Sequence, residues 1–133
     1  MDLSEAMLTQ RAIRHFSDKA VPDEIIRELM IAATSAPNAG NQQQWRFLVI
    51  RDKAIKRRMG DWYLKAWADT VGRIGGLGES QPYRSGGLLA KQMENIPVMV
   101  LACVANSDRH IVDGLDTRGA SIYPAVQNLM LMA

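Results

Sequence analysis

A helical repeat that stops abruptly and hands the chain to a strand is what most constrains this sequence. From Pro22 onward, Ile25, Ile26, Leu29, Met30 and Ala33 recur at helical spacing. That period predicts a core-facing helix over residues 22–34. Pro22 suits a first helical position, and Asp23 and Glu24 suit the positive end of a helix dipole. Pro37 ends the run. The stop is Ser35-Ala36-Pro37-Asn38-Ala39-Gly40-Asn41-Gln42-Gln43-Gln44, and it leads directly into Trp45-Arg46-Phe47-Leu48-Val49-Ile50-Arg51. The second segment is rich in β-branched and aromatic residues and predicts a strand over 45–51. A surface turn has no folding reason to collect so many amides, so a ligand is the economical explanation.

One helix upstream, Arg11-Ala12-Ile13-Arg14-His15-Phe16 sets two guanidiniums three residues apart. Guanidiniums suit a phosphate, and amides with free backbone donors suit a polar heterocycle. Each motif also has a plain reading. Arg11 and Arg14 could be surface arginines in weak ion pairs. Pro, Asn and Gly are ordinary choices for ending a helix.

The remaining segments predict a short helix over 5–10 capped by Ser4, and a longer one over 53–68 capped by Asp52. The longer helix carries Ile55, Met59, Trp62, Tyr63 and Trp67 as its buried face. Lys53, Lys56, Arg57, Arg58 and Lys65 form its solvated face. Residues 71–87 hold six of the ten glycines and read as a long flexible loop. A short helix over 88–95 follows. A nearly all-apolar strand over 97–105 is expected to be buried on both faces. Residues 106–116 form a polar connection. A last helix over 121–133 has Ile122, Val126, Leu129, Met130 and Ala133 at helical spacing.

This order gives an α+β chain with few strands. Two strands alone make a poor sheet, so further strands are expected from a missing C-terminal part or from a second subunit. The helix over 121–133 stops without Gly, Pro or a basic last turn, which reads as a truncated chain.

With 133 residues, 47% hydrophobic, the chain fits one domain over 1–133. A net charge of +2, with basic residues spread out, does not point to nucleic acid. The single cysteine, Cys103, excludes an internal disulfide and agrees with a reducing, cytoplasmic setting. It lies in an apolar run and reads as a buried small hydrophobe. No basic-then-apolar leader opens the chain, and no window approaches the ~20 apolar residues of a membrane span. His15 and His110 are isolated, no Cys/His spacing suits a metal, and no P-loop or triad spacing occurs.

Together the segments over 11–16 and 35–45 resemble the nitroreductase family of FMN-dependent oxidoreductases. That family typically opens with an Arg-x-x-Arg-x-Phe-like element. A helix follows, then Ala-Pro-Ser-x-x-Asn-x-Gln-Pro-Trp, then a strand. Ala36, Pro37, Asn41, Gln43 and Trp45 match in register. Asn38 replaces the usual Ser, Gln44 the usual second Pro, and Ala12 a frequent Ser. Gln10 stands where some members carry another Arg. These departures remove possible phosphate donors.

The resemblance implies a flavoprotein with helices around a small central antiparallel sheet, forming an intertwined homodimer with FMN at the subunit interface. It implies hydride transfer from NAD(P)H through FMN to a nitroaromatic, quinone or similar acceptor in ping-pong order. In such chemistry the protein supplies orientation and electrostatics, so no catalytic side chain and no metal ligand is expected. By the same resemblance, Arg11 pairs with the FMN phosphate within the element that includes Ala12. Arg14 approaches the pyrimidine edge of the flavin, where a fixed cation favours the reduced form. Pro37, Asn38, Ala39 and Asn41 lie over the flavin of the other subunit, braced by Gln43 and Trp45. Lys91 reaches the same edge as Arg14, although a lone lysine there also reads as solvated surface. Gln127 and Asn128 are expected to hydrogen-bond across the core or the interface.

Three other readings stay open at this point. One is the related fragmentation of reduced FMN by oxygen to 5,6-dimethylbenzimidazole. Another is a truncated remnant that binds FMN poorly or serves only as an interaction partner. The third is binding of nucleic acid or anionic lipid by the basic face of the 53–68 helix.

Overall fold

A computed structural model of the chain describes residues 2–74, 80–105, 111–112 and 115–133. Their contacts group into two interleaved units. The first is built from Met1–Arg11, Val21–Val49 and Val100–Ala133, and the second from Ala12–Ala20 and Ile50–Met99.

The first unit holds helices α1 (Leu3–Thr9), α2 (Asp23–Thr34) and α5 (Gly119–Met132), with strands β1 (Trp45–Ile50), β2 (Met99–Val104), β3 (Ile111–Val112) and β4 (Leu115–Asp116). One end residue of β1 and one of β2 fall to the second unit. Asp2, not Ser4, caps α1, because its carboxylate accepts the Glu5 N–H at 2.8 Å. Pro22 stands just outside α2 at the cap position, and Ser35 closes the helix before Pro37 is reached. Helices α2 and α5 pack on each other, burying Ile26 and Ala33 from the one and Ser121 and Ala125 from the other. Ile25 and Met130, expected inside, are 44% and 47% exposed. Ala33, Ser121 and Ala125 are small, which lets the two helices approach closely, and Ile26 fills the remaining space. Ala36, Trp45 and Ala125 form the buried cluster, with Phe47 and Ile122 against it.

β1 pairs with β2. The Ala105 N–H donates to the Gln44 carbonyl at 2.9 Å, joining the start of β1 to the end of β2, so the two strands run in opposite directions. β2 is not buried on both faces: none of its residues is fully buried, Leu101 is exposed, and Cys103 is half-buried. Among the described residues β2 has a single neighbouring strand, which leaves its other edge open. The stretch expected as polar connection over 106–116 contains the antiparallel pair β3–β4, with Ile111 opposite Asp116 and Val112 opposite Leu115. The rest of it lies outside the described residues.

The second unit holds α3 (Lys53–Ile74), α4 (Gln81–Lys91) and a 3₁₀ turn over Met93–Asn95. Asp52 caps α3 as expected, accepting the Ile55 N–H at 2.8 Å. The helix is rotated from the predicted phase. Lys56 and Gly60 are its buried residues, with Met59, Leu64, Trp67 and Val71 half-buried on the same stripe. Ile55 and Trp62 are exposed. Gly60 sets this phase, because the Ala90 carbonyl lies 2.7 Å from where a Cβ would stand. Only glycine lets α4 seat there.

The stretch over 71–87, expected as a long flexible loop, is helical at both ends, and the part over 75–79 lies outside the described residues. Its glycines act as spacers in α4. A Cβ on Gly86 would meet the Trp67 ring at 2.8 Å. Trp67 in turn stacks on Tyr63 with centroids 5.5 Å apart and tilts against Tyr83 at 5.4 Å. The helix expected over 88–95 is therefore the last part of α4 followed by the 3₁₀ turn.

Candidate functional site

The residues singled out in the sequence divide between the two units. Arg11, Pro37, Asn38, Ala39 and Asn41 belong to the first, and Ala12, Arg14 and Lys91 to the second.

In the first unit the turn after α2 is tied down at several points. Gly40, Asn41 and Gln43 all have positive φ, at 56°, 51° and 51°. For Asn this is tolerable, but for Gln it is a strained conformation that its surroundings must hold. The holding contacts are local and specific. Asn38 Oδ1 accepts the Gln43 N–H at 2.8 Å, and Asn41 Oδ1 accepts from Gln43 Nε2 at 3.3 Å. The Ala39 N–H reaches across to the buried Ser121 hydroxyl on α5 at 3.3 Å. Buried Trp45 anchors the far end. Gln43 and Trp45 thus brace the turn, as the sequence suggested. Both asparagine carbonyl oxygens are used inside the turn, their NH₂ groups carry no hydrogen bond among the described residues, and the Gln43 backbone N–H, which can only donate, fixes which way Asn38 points. A small pocket of about 10 Å³ lies beside the turn, bordered by Asn38, Ala39 and Ser121.

Arg11 is exposed and bends one terminal nitrogen back onto the carbonyls of Leu8 and Gln10, at 3.1 and 2.7 Å. Its other guanidinium nitrogens carry no bond among the described residues. Gln127 and Asn128 act as expected: Gln127 Nε2 donates to Gln10 Oε1 at 2.9 Å, and Asn128 Nδ2 to the Ala32 carbonyl at 3.2 Å. They bind α5 to the end of α1 and to α2. Arg118 is spent locally. Its Nε donates to both oxygens of Asp116, at 2.8 and 2.9 Å, which holds the guanidinium above its ordinary pKa range.

In the second unit Arg14 is half-buried and lines a pocket of about 40 Å³ with Phe16, Leu89, Gln92, Asn95 and Ile96. No carboxylate borders it, and Arg14 has no ion-pair partner among the described residues. Lys91 lies elsewhere. It borders a pocket of about 460 Å³ walled by Leu64, Trp67, Tyr83 and Leu88. Arg14 and Lys91 therefore line two different pockets.

No group of three metal-ligating side chains is present among the described residues. No helix of the described residues is long and apolar enough to cross a membrane. The sequence reading missed two features here. Lys56 was placed on the solvated face, and Trp67 was read without its seat on Gly86 and Gly87. Glycine at 60 or 86 gives no local signal of what packs against it.

The model described as the Nitroreductase family matches residues 7–133. A protein of Methanothermobacter thermautotrophicus, provisionally named an NADH dehydrogenase/NAD(P)H nitroreductase, is 29% identical over 133 residues, covering 100% of this chain and 56% of its own length. The chain thus spans about half the length of this curated relative. Among solved structures, oxidised iodotyrosine deiodinase bound to FMN and 3-iodo-L-tyrosine superposes with a TM-score of 0.72 at 18% identity, covering 98% of this chain and 68% of that one. A provisionally named nitroreductase of Desulfovibrio desulfuricans in complex with FMN gives a TM-score of 0.61 at 26% identity, with 98% and 61% covered.

Proposed function

Because this chain belongs to the nitroreductase family, we propose that it is the N-terminal, FMN-holding portion of an NAD(P)H-dependent oxidoreductase that works as a homodimer. The fold and the family support a flavin oxidoreductase in general. The observation that carries the reading to this chain is Arg14: a half-buried guanidinium with no carboxylate near it, beside an apolar and amide-lined pocket.

The residues present fit the cofactor in their chemistry. Arg11, Arg14 and Lys91 are cations, and Asn38 and Asn41 offer amide donors. FMN, when bound, supplies the two-electron chemistry, taking hydride from NAD(P)H and passing electrons to a nitroaromatic, quinone or similar acceptor. Arg11 holds the phosphate through the guanidinium nitrogens it does not use on its own backbone. Arg14 sets a fixed positive charge at the pyrimidine edge, where negative charge builds on reduction. The strained turn over 37–41 offers its donors with little motion, since its contacts already fix it. Lys91 takes a cofactor role on family register alone, given its separate pocket.

The test is direct. The purified chain is mixed with excess FMN and desalted, and its visible spectrum is recorded. Retained flavin bands are expected, with Arg14→Ala weakening FMN binding by at least tenfold. A colourless protein after desalting, or a variant with unchanged affinity, refutes the assignment.

A further inference from the structure

Lys56 is 2% exposed, the one charged side chain among the described residues that is fully buried. Its ammonium donates to the Ile96 carbonyl, and that is its single bond among the described residues. An ammonium has three N–H donors, and a buried charge without an opposing charge is costly. Lysine is almost never found so buried unless paired.

Lys56 borders a pocket of about 510 Å³, together with Lys53, Asn95, Asp18 and Glu94. That volume falls within the range of small-molecule sites. Glu94 makes no bond to Lys56; Arg57 holds its Oε2, 2.7 Å from Nε and 2.5 Å from a terminal nitrogen. Lys53 and the Asn95 amide add donors at the rim. Neither Arg14 nor Lys91 borders this pocket. Asn95 and Ile96 also line the Arg14 pocket, so an occupant here would steady one wall of that one.

We propose that this pocket binds a small oxyanion, the phosphate or carboxylate group of a ligand, whose charge balances the buried ammonium of Lys56. The competing account is that Asp18, across the pocket, already serves as the counter-charge. The two accounts differ in sign at Asp18. Removing its charge should help an oxyanion bind, but should leave Lys56 uncompensated if Asp18 is the partner.

The experiment is calorimetric titration of the full chain with inorganic phosphate and, separately, with acetate, at constant ionic strength in chloride. Saturable one-to-one binding of at least one probe is expected, and which one binds tells phosphate from carboxylate. Lys56→Met should weaken it at least tenfold, Lys53→Ser severalfold, and Asp18→Asn should leave it equal or tighter. Lys53 is exposed, so its variant decides the matter if Lys56→Met fails to fold. No saturable binding of either probe overturns the proposal. So does binding that neither lysine variant weakens, or a large loss of thermal stability in Asp18→Asn.

Discussion

Replacing Gly60 by alanine puts a methyl group where α3 meets the end of α4. The ideal Cβ would lie 2.7 Å from the Ala90 carbonyl oxygen and 3.2 Å from the Met93 Cβ. The first contact is with backbone, which cannot swing aside as a side chain tip can. The helices must separate by several tenths of an ångström, and overpacking of this kind costs about 1–3 kcal/mol. Against it, alanine in a helix interior gains about 1 kcal/mol over glycine. A carbonyl clash belongs at the upper end of the first range, so the net expectation is a loss of about 1–2 kcal/mol.

Gly72 on the same helix provides the control, because nothing lies within 4 Å of its Cβ position. Gly72→Ala keeps the propensity gain without the clash and should stabilise by up to about 1 kcal/mol. Urea denaturation of both variants, followed by circular dichroism, separates the two effects. The midpoints should move in opposite directions. If Gly60→Ala matches or exceeds Gly72→Ala in stability, the close approach of α4 to α3 is not the reason for the glycine, and the account of the helix phase fails with it.

Two further outcomes follow from the first unit. Trp45→Ala empties the centre of the cluster formed with Ala36 and Ala125 and should cost about 3–5 kcal/mol in the same denaturation assay; a loss below about 1 kcal/mol would mean that the cluster is not its core. Ser121→Ala removes the acceptor for the Ala39 N–H and should cost about 1 kcal/mol. On the proposed function it also loosens the turn and weakens FMN retention, whereas unchanged retention would detach Ser121 from the site.

What the sequence made legible was what local chemistry decides. The α2 helix, the strand from Trp45, the Asp52 cap and the bracing by Gln43 all depend on residues close together in the chain. Gln127 and Asn128 were readable only through the family resemblance, which carries amides at that helical position. The errors came from long-range packing. Lys56 looked solvated because its type and its basic neighbours say so, and only the Ile96 carbonyl, forty residues away, places it inside. Residues 71–87 looked like a loop because glycine is usually read as flexibility. The exposure of Leu101 depends on what packs against its face of the sheet, which no residue in β2 encodes.

The glycines carry a consequence for the proposed site. Two of them fix α4 from different sides: Gly60 admits the Ala90 carbonyl, and Gly86 admits the Trp67 ring. Ala90 precedes Lys91 directly, and Leu89 and Gln92 on either side face the Arg14 pocket. The separation of the two cations therefore follows from how α4 is seated. Successive helical positions point about 100° apart, so Lys91 and Leu89 diverge by about 160°, and Lys91 points away from the part of α4 that lines the Arg14 pocket. On the proposed function, Arg14 rather than Lys91 is the cation whose loss should weaken FMN retention, and equal losses from Arg14→Ala and Lys91→Ala would refute that distinction.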